Sequence, residues 1–179
     1  STVEAFPSSV RTLAIDPRSK LLFAGGNDGE LRVFERDAGA LRPVTAGLQP
    51  GAAYRAAFDE QASLLVTSDD GVRRYRAADL TPGDLYPGRV IRWFDRAGGR
   101  LVVLGLHGEL ALFDEATRKL QHHVVIDSPF NHRSVAFAGA HRIFTASADG
   151  LLRVFDERLR VVSTLELLRD GFVWSTTPR

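Results

Sequence analysis

Cysteine is absent from this chain of 179 residues, which excludes disulfides, thiolate metal sites and cysteine nucleophiles together. A cysteine-free chain suits a reducing compartment, and a cytoplasmic location is expected. Methionine is absent too, even at position 1, so the chain is expected to be a processed product or a piece of a longer polypeptide. No apolar run approaches the length of a membrane helix, and no basic-then-apolar leader marks a signal peptide, so no membrane partner is expected. Excess charge is also missing. The 23 Lys and Arg against 22 Asp and Glu leave a net charge of +1, with no global attraction to nucleic acid or acidic ligands. Helical periodicity is missing as well; Leu165–Arg169 is too short to count.

What is present is a repeat. Gly29, Gly71, Gly108 and Gly150 recur roughly every 40 residues, each inside the same short pattern. An apolar run precedes each one: Leu21–Ala24, Leu64–Val66, Leu101–Leu104 and Ile143–Ala146. An alternating run ending on an aromatic follows each one, at Phe34, Tyr75, Phe113 and Phe155. Asp28, Asp70 and Asp149 stand directly before three of the glycines, and Asp-Gly is a strong hairpin signal because both residues tolerate positive φ. Alternation on both sides of a tight turn predicts antiparallel strands, three clear ones per unit. A fourth strand is expected at Leu41–Ala46, Leu120–Ile126 and Arg160–Leu168. In the second unit it is obscured by the turn formers Thr81-Pro82-Gly83-Asp84 and Tyr86-Pro87-Gly88. The chain is therefore all-β.

The units Leu13–Glu35, Trp93–Glu115 and Val135–Glu157 resemble WD40 repeats, and the unit ending near Arg76 is a shorter version. The resemblance implies a β-propeller of four-stranded antiparallel blades, with units at 10–46, 53–86, 90–126 and 132–168 of a single region spanning 1–179. Two features depart from the family pattern. The closing Trp-Asp is replaced by Phe34-Glu35, Tyr75-Arg76, Phe113-Asp114 and Phe155-Asp156, and no Gly-His precedes the first strands. These are divergent blades. Residues 1–6 and 171–177 read as flanking strands of neighbouring blades, which favours an arc of a larger propeller over a closed four-bladed ring. An arc exposes two apolar blade edges that another copy, another chain or absent sequence is expected to cover.

The resemblance also implies a partner-binding face, made by the starts of the first strands and the Asp-Gly turns. Arg11, Tyr54, Arg55, Asn131 and Arg133 map to the first set, and Asp28, Asp70 and Asp149 to the second, with Asn27, Asp69 and His107 beside them. Arg and Tyr suit such a face because they join apolar area to directional hydrogen bonds. Singly, Arg11, Arg55 and Arg133 are expected to pair with Asp28, Asp70 and Asp149, in place of the family's His–Asp network. The five histidines match no zinc spacing and are expected to be exposed or hydrogen-bonded. Arg73-Arg74-Tyr75-Arg76 is the best basic-aromatic patch, read as a solvated edge rather than a phosphate site. No nucleophile–base–orienter set is visible, nor a Gly-rich loop opening a helix, so no catalytic residue, metal or cofactor is expected. The expected function is a non-catalytic scaffold that binds a protein or peptide. The alternatives are a regulatory or sensor segment of a larger multidomain enzyme, such as a bacterial protease or kinase, and a propeller hydrolase.

Overall fold

A computed structural model describes residues 6–37, 40–127, 132–139, 141–168 and 171–176. The chain forms two compact units, Ser1–Arg92 and Trp93–Arg179. In the first unit, β1 (Val10–Ile15), β2 (Leu21–Gly26), β3 (Glu30–Asp37) and β4 (Ala40–Leu48) pair in chain order as one antiparallel blade. A second blade follows from β5 (Ala56–Phe58), β6 (Ser63–Ser68), β7 (Gly71–Arg76) and β8 (Thr81–Pro87). The third consists of β9 (Ile91–Ala97), β10 (Arg100–Gly105), β11 (Glu109–Asp114) and β12 (Leu120–Val125). The fourth runs through β13 (His132–Ala138), β14 (Arg142–Ser147), β15 (Leu151–Phe155), β16 (Val161–Leu168) and β17 (Gly171–Thr176). No helix occurs among the described residues, and none is long and apolar enough to cross a membrane.

One sequence expectation is revised. The second blade has its fourth strand after all: β8 contains Pro82 and Pro87, and pairs Tyr75 with Pro82. A proline fits because β8 is the outer edge strand, where a missing N–H leaves no ladder bond unmade on the solvent side. The β3–β4, β7–β8, β11–β12 and β15–β16 pairings each shift register just before the aromatics that recur in the repeat, Phe34, Tyr75, Phe113 and Phe155, and Pro43 occupies the same place opposite Phe34. Of the flanking strand expected at 171–177, Gly171–Thr176 are described and form β17. The strand β17 pairs antiparallel with β16, Leu165 opposite Trp174, and so covers the edge that β16 would leave unpaired. The other expected flanking strand lies at residues 1–5, outside the described residues, and only Phe6 of that segment is described.

Alternation along each strand decides what is buried. In the first unit Ala14, Phe23, Leu31 and Val33 of the first blade pack with Ala53, Leu64, Val66 and Tyr75. In the second unit Val102, Leu104, Leu110 and Leu112 pack with Val135, Ile143 and Phe155. Each pair of blades therefore encloses its own apolar layer between facing sheets.

Candidate functional site

The start of the first strand and the Asp-Gly turn share one end of each blade, because the strand pairing brings them there. Val10 lies opposite Gly26, one residue before the Asn27-Asp28-Gly29 turn. His132 lies opposite Ser147 in the corresponding place, just before Ala148-Asp149-Gly150. In both ladders the register shifts at the next residue, so Arg11 and Arg133 are the extra residues of equivalent β-bulges. A bulge turns its side chain out of the strand's alternation, and both arginines are exposed.

Close approach explains these turns more fully than hairpin geometry alone. Gly29 has φ +83°, and a Cβ there would run into the carbonyl oxygen of Gln49 and stand 2.8 Å from that of Gly51. The Gln49 amide donates to the Gly29 carbonyl at 3.0 Å. Gly108 repeats the arrangement: its φ is +90°, the Ile126 carbonyl would lie 2.6 Å from a Cβ, and the Ile126 amide donates to its carbonyl at 2.9 Å. Each turn is thus locked to the segment that leaves the same blade's outer strand.

The expected pairing of Arg11 with Asp28 is not what forms, and Asp70 and Asp149 take partners within their own hairpins. Arg11 donates through Nε to Asn27 Oδ1 at 3.0 Å, not to Asp28. Asp70 instead accepts from Arg73 Nη2 at 2.9 Å and from the Ser68 hydroxyl. Asp149 likewise accepts from Arg153 Nη2 at 2.9 Å and from the Ser147 hydroxyl, while Arg153 Nη1 reaches Ser147 Oγ at 2.8 Å. The partner is the arginine just inside the next strand, three or four residues along the chain, so the ion pair closes within one hairpin. Burial is the strongest influence on the Asp70 carboxyl and pushes its pKa up, but Ser68 and Arg73 together outweigh it and hold it below the ordinary value. Asp28 is lowered chiefly by the Glu30 amide, which donates to it at 3.1 Å. The neighbouring Arg32 pairs with Glu30 at 2.7 Å.

A family model described as "WD domain, G-beta repeat" matches residues 1–35. In shape the chain is similar to the Neurospora crassa Pan2 WD40 domain, with TM-score 0.69 at 14% identity over 88% of this chain and 49% of that one. It is also similar to the computationally designed Ika4 protein, with TM-score 0.68 at 16% identity over 87% of this chain and 95% of that one. The blades are WD40-like. The chain spans about half the length of the Pan2 domain, and no curated protein matches it.

These WD40-like blades place the remaining candidates as follows. Tyr54 is half-buried, its amide bonded to Thr67 Oγ1 at 3.0 Å, and the Arg92 guanidinium lies 3.6 Å from its ring centroid. At that distance the cation sits on the ring's negative face. Sequence reasoning missed Arg92, because nothing in its own repeat marks a partner in the preceding one. The Arg55 amide donates to Thr67 Oγ1 at 2.9 Å, and its side chain is exposed. Arg133 makes no ion pair among the described residues. Asn131 lies outside the described residues.

The basic-aromatic patch does not survive as one. Arg73 pairs with Asp70, Arg74 with Asp59 at 3.0 Å and Arg76 with Asp79, so all three charges are matched. His122 and His123 are exposed on the outer strand, and His141 bonds Glu157 at 2.9 Å, as expected of them. His132 differs. It is 1% exposed, and neither ring nitrogen has a hydrogen-bond partner among the described residues. Burial, reinforced by Arg153, pushes its pKa below 6.5, while Asp149 and Glu109 oppose the shift. Among the described residues no three His, Asp or Glu side chains converge as a metal site.

Proposed function

We propose that the chain is a non-catalytic scaffold that binds a protein or peptide segment through the blade ends of its units, at Arg11, Tyr54 and Arg55 with Asp28 and Asp70 in the first unit, and at Arg133 with Asp149 in the second. The observation that carries this reading is the pair of equivalent bulges at Arg11 and Arg133, which present exposed guanidinium groups while the turn carboxylates of the same blades, Asp28 and Asp149, are engaged inside their own hairpins by the Glu30 amide and Arg153. Such groups suit backbone carbonyls and carboxylates of an extended segment. The rigid hairpins limit the entropy lost when they engage. WD40 repeats commonly act in this way, and the cysteine-free composition supports a cytoplasmic setting.

The test is capture of interacting proteins by the wild-type chain and by the triple variant Arg11→Ala, Arg55→Ala, Arg133→Ala, quantified side by side. The expected result is loss of a specific wild-type interaction, by roughly tenfold or more in affinity, with Tm unchanged. Retention of every wild-type interaction by a folded triple variant would sink the reading. A triple variant that unfolds would assign these arginines to structure.

A further inference from the structure

The first and fourth blades each carry one apolar face with no blade against it in their own unit. In the first blade, strand pairing aligns Leu13–Ala24–Arg32–Ala46 and Ile15–Leu22–Phe34–Pro43 on the face turned away from the second blade. Leu13 is 62% exposed and Ile15 is 53% exposed there, on the first strand, while Ala24 and Phe34 deeper in the rows are buried. In the fourth blade, Ser134–Ala146–Leu152–Leu165 and Ala136–Phe144–Val154–Ser163 line the face turned away from the third. Phe144 and Leu152 are half-buried in it, and Trp174 extends its first row.

One row of each face has its counterpart elsewhere in the chain, in the two halves of a packed interface. The rows that the first blade sets against the second are Thr12–Gly25–Leu31–Gly47 and Ala14–Phe23–Val33–Thr45. The fourth blade's open face repeats the latter as Ala, Phe, Val, Ser. The rows with which the second blade receives the first are Ala56–Val66–Arg73–Leu85 and Phe58–Leu64–Tyr75–Pro82. The first blade's open face repeats these with Arg32 for Arg73, Leu22 for Leu64, Phe34 for Tyr75 and Pro43 for Pro82, even to the register shift beside the proline. One open face is thus built as the giving half of a blade–blade contact and the other as the receiving half.

We propose that these faces engage a second copy of this chain, head to tail, the fourth blade of one copy packing on the first blade of the other. A second copy supplies both halves at once, in the residue pairing the chain already uses between its first and second blades. The net charge of +1 adds little repulsion between copies. A head-to-tail contact uses two different patches, so two copies related by a two-fold make it twice.

The experiment is light scattering after size exclusion on the 179-residue chain, with Leu13→Glu and Phe144→Glu as single variants. Wild type is expected at twice 19.7 kDa, and each variant at 19.7 kDa, since either one buries an unpaired carboxylate in both contacts and weakens the dimer by roughly a hundredfold or more. Leu13 stands exposed on the first strand of its blade, so its substitution leaves the fold intact, which circular dichroism verifies. Mixing the two variants is expected to restore dimer, because one of the two contacts then joins two unaltered faces. A monomeric wild type at tens of micromolar overturns the proposal. So does a dimer that survives either substitution, or variants that fail to complement when mixed.

Discussion

Gly29→Ala is predicted to cost far more than the same change at Gly99, and the comparison isolates what the Asp-Gly turns do. Both glycines have positive φ, +83° and +72°. Placing an L-residue in that region costs about 1–2 kcal/mol whatever surrounds it. Gly99 adds nothing further, since nothing lies within 4 Å of the position its Cβ would take. At Gly29 the new methyl would meet two backbone carbonyls, those of Gln49 and Gly51, which no side-chain rotation can move aside. Relief requires shifting the Gln49 segment and loosening its 3.0 Å bond to the Gly29 carbonyl, worth about 1–3 kcal/mol more once the buried amide is left unmade. At about 2–4 °C per kcal/mol for a chain of this size, Gly99→Ala should lower Tm by about 3–6 °C and Gly29→Ala by about twice that. Thermal unfolding followed by circular dichroism and by calorimetry measures both. Equal losses would mean that positive φ alone explains these glycines and that the turn is not wedged against the departing strand.

The other predictions concern charge. His132 is buried with its pKa lowered, so the unfolded chain binds the proton more readily. Its contribution to stability is complete above pH 6.5 and is lost as pH falls from there toward the folded-state pKa. Urea titrations from pH 8 to 5 should show that slope, and His132→Gln should flatten it; an unchanged slope would place the titration elsewhere. Asp149→Asn should destabilise more than Asp70→Asn, about 2–4 kcal/mol against about 1, because the Asp149–Arg153 side chains are each 11% exposed whereas Asp70 is 38% exposed. Equal midpoints in denaturant would contradict that ordering.

The blades were legible because they rest on alternation and on turn chemistry, both local signals. Leu31 and Val33 announce a buried face by spacing alone, and Asp149-Gly150 announces the hairpin that follows β14. The strand β8 was hidden because Pro82 and Pro87 argue locally against a strand, whereas position at the sheet's outer edge removes the objection. The strand β17 is legible as a strand, but its pairing with β16 is not, because its sequence looks like the opening of a unit. The partners of the turn aspartates were one step beyond reach. Arg153 stands between Leu152 and Val154, and Arg73 opens a basic run, so both look like solvent-facing positions, but a side chain that starts three or four residues after the Asp folds back over the tight turn and reaches it. The Arg92–Tyr54 stack joins residues far apart in sequence, and no periodicity encodes it.

Position, more than residue type, separates the arginines into two kinds. Arg73 and Arg153 are regularly paired strand residues, mostly buried along their stems and each fixed to the Asp of its own turn, so their charge is spent on holding the hairpins. Arg11 and Arg133 are bulge residues, outside the alternation that would commit them to a sheet face. Both side chains are exposed, and the bond of Arg11 to Asn27 is one between exposed groups, which adds little to stability. A feature that costs a ladder hydrogen bond, recurs at equivalent places in the first and fourth blades and stabilises neither is better accounted for by what it presents than by what it supports. That asymmetry is the support for the proposed recognition at the blade ends, and it leaves the sheet faces, with Leu13, Ile15 and Phe144, to the proposed association between copies.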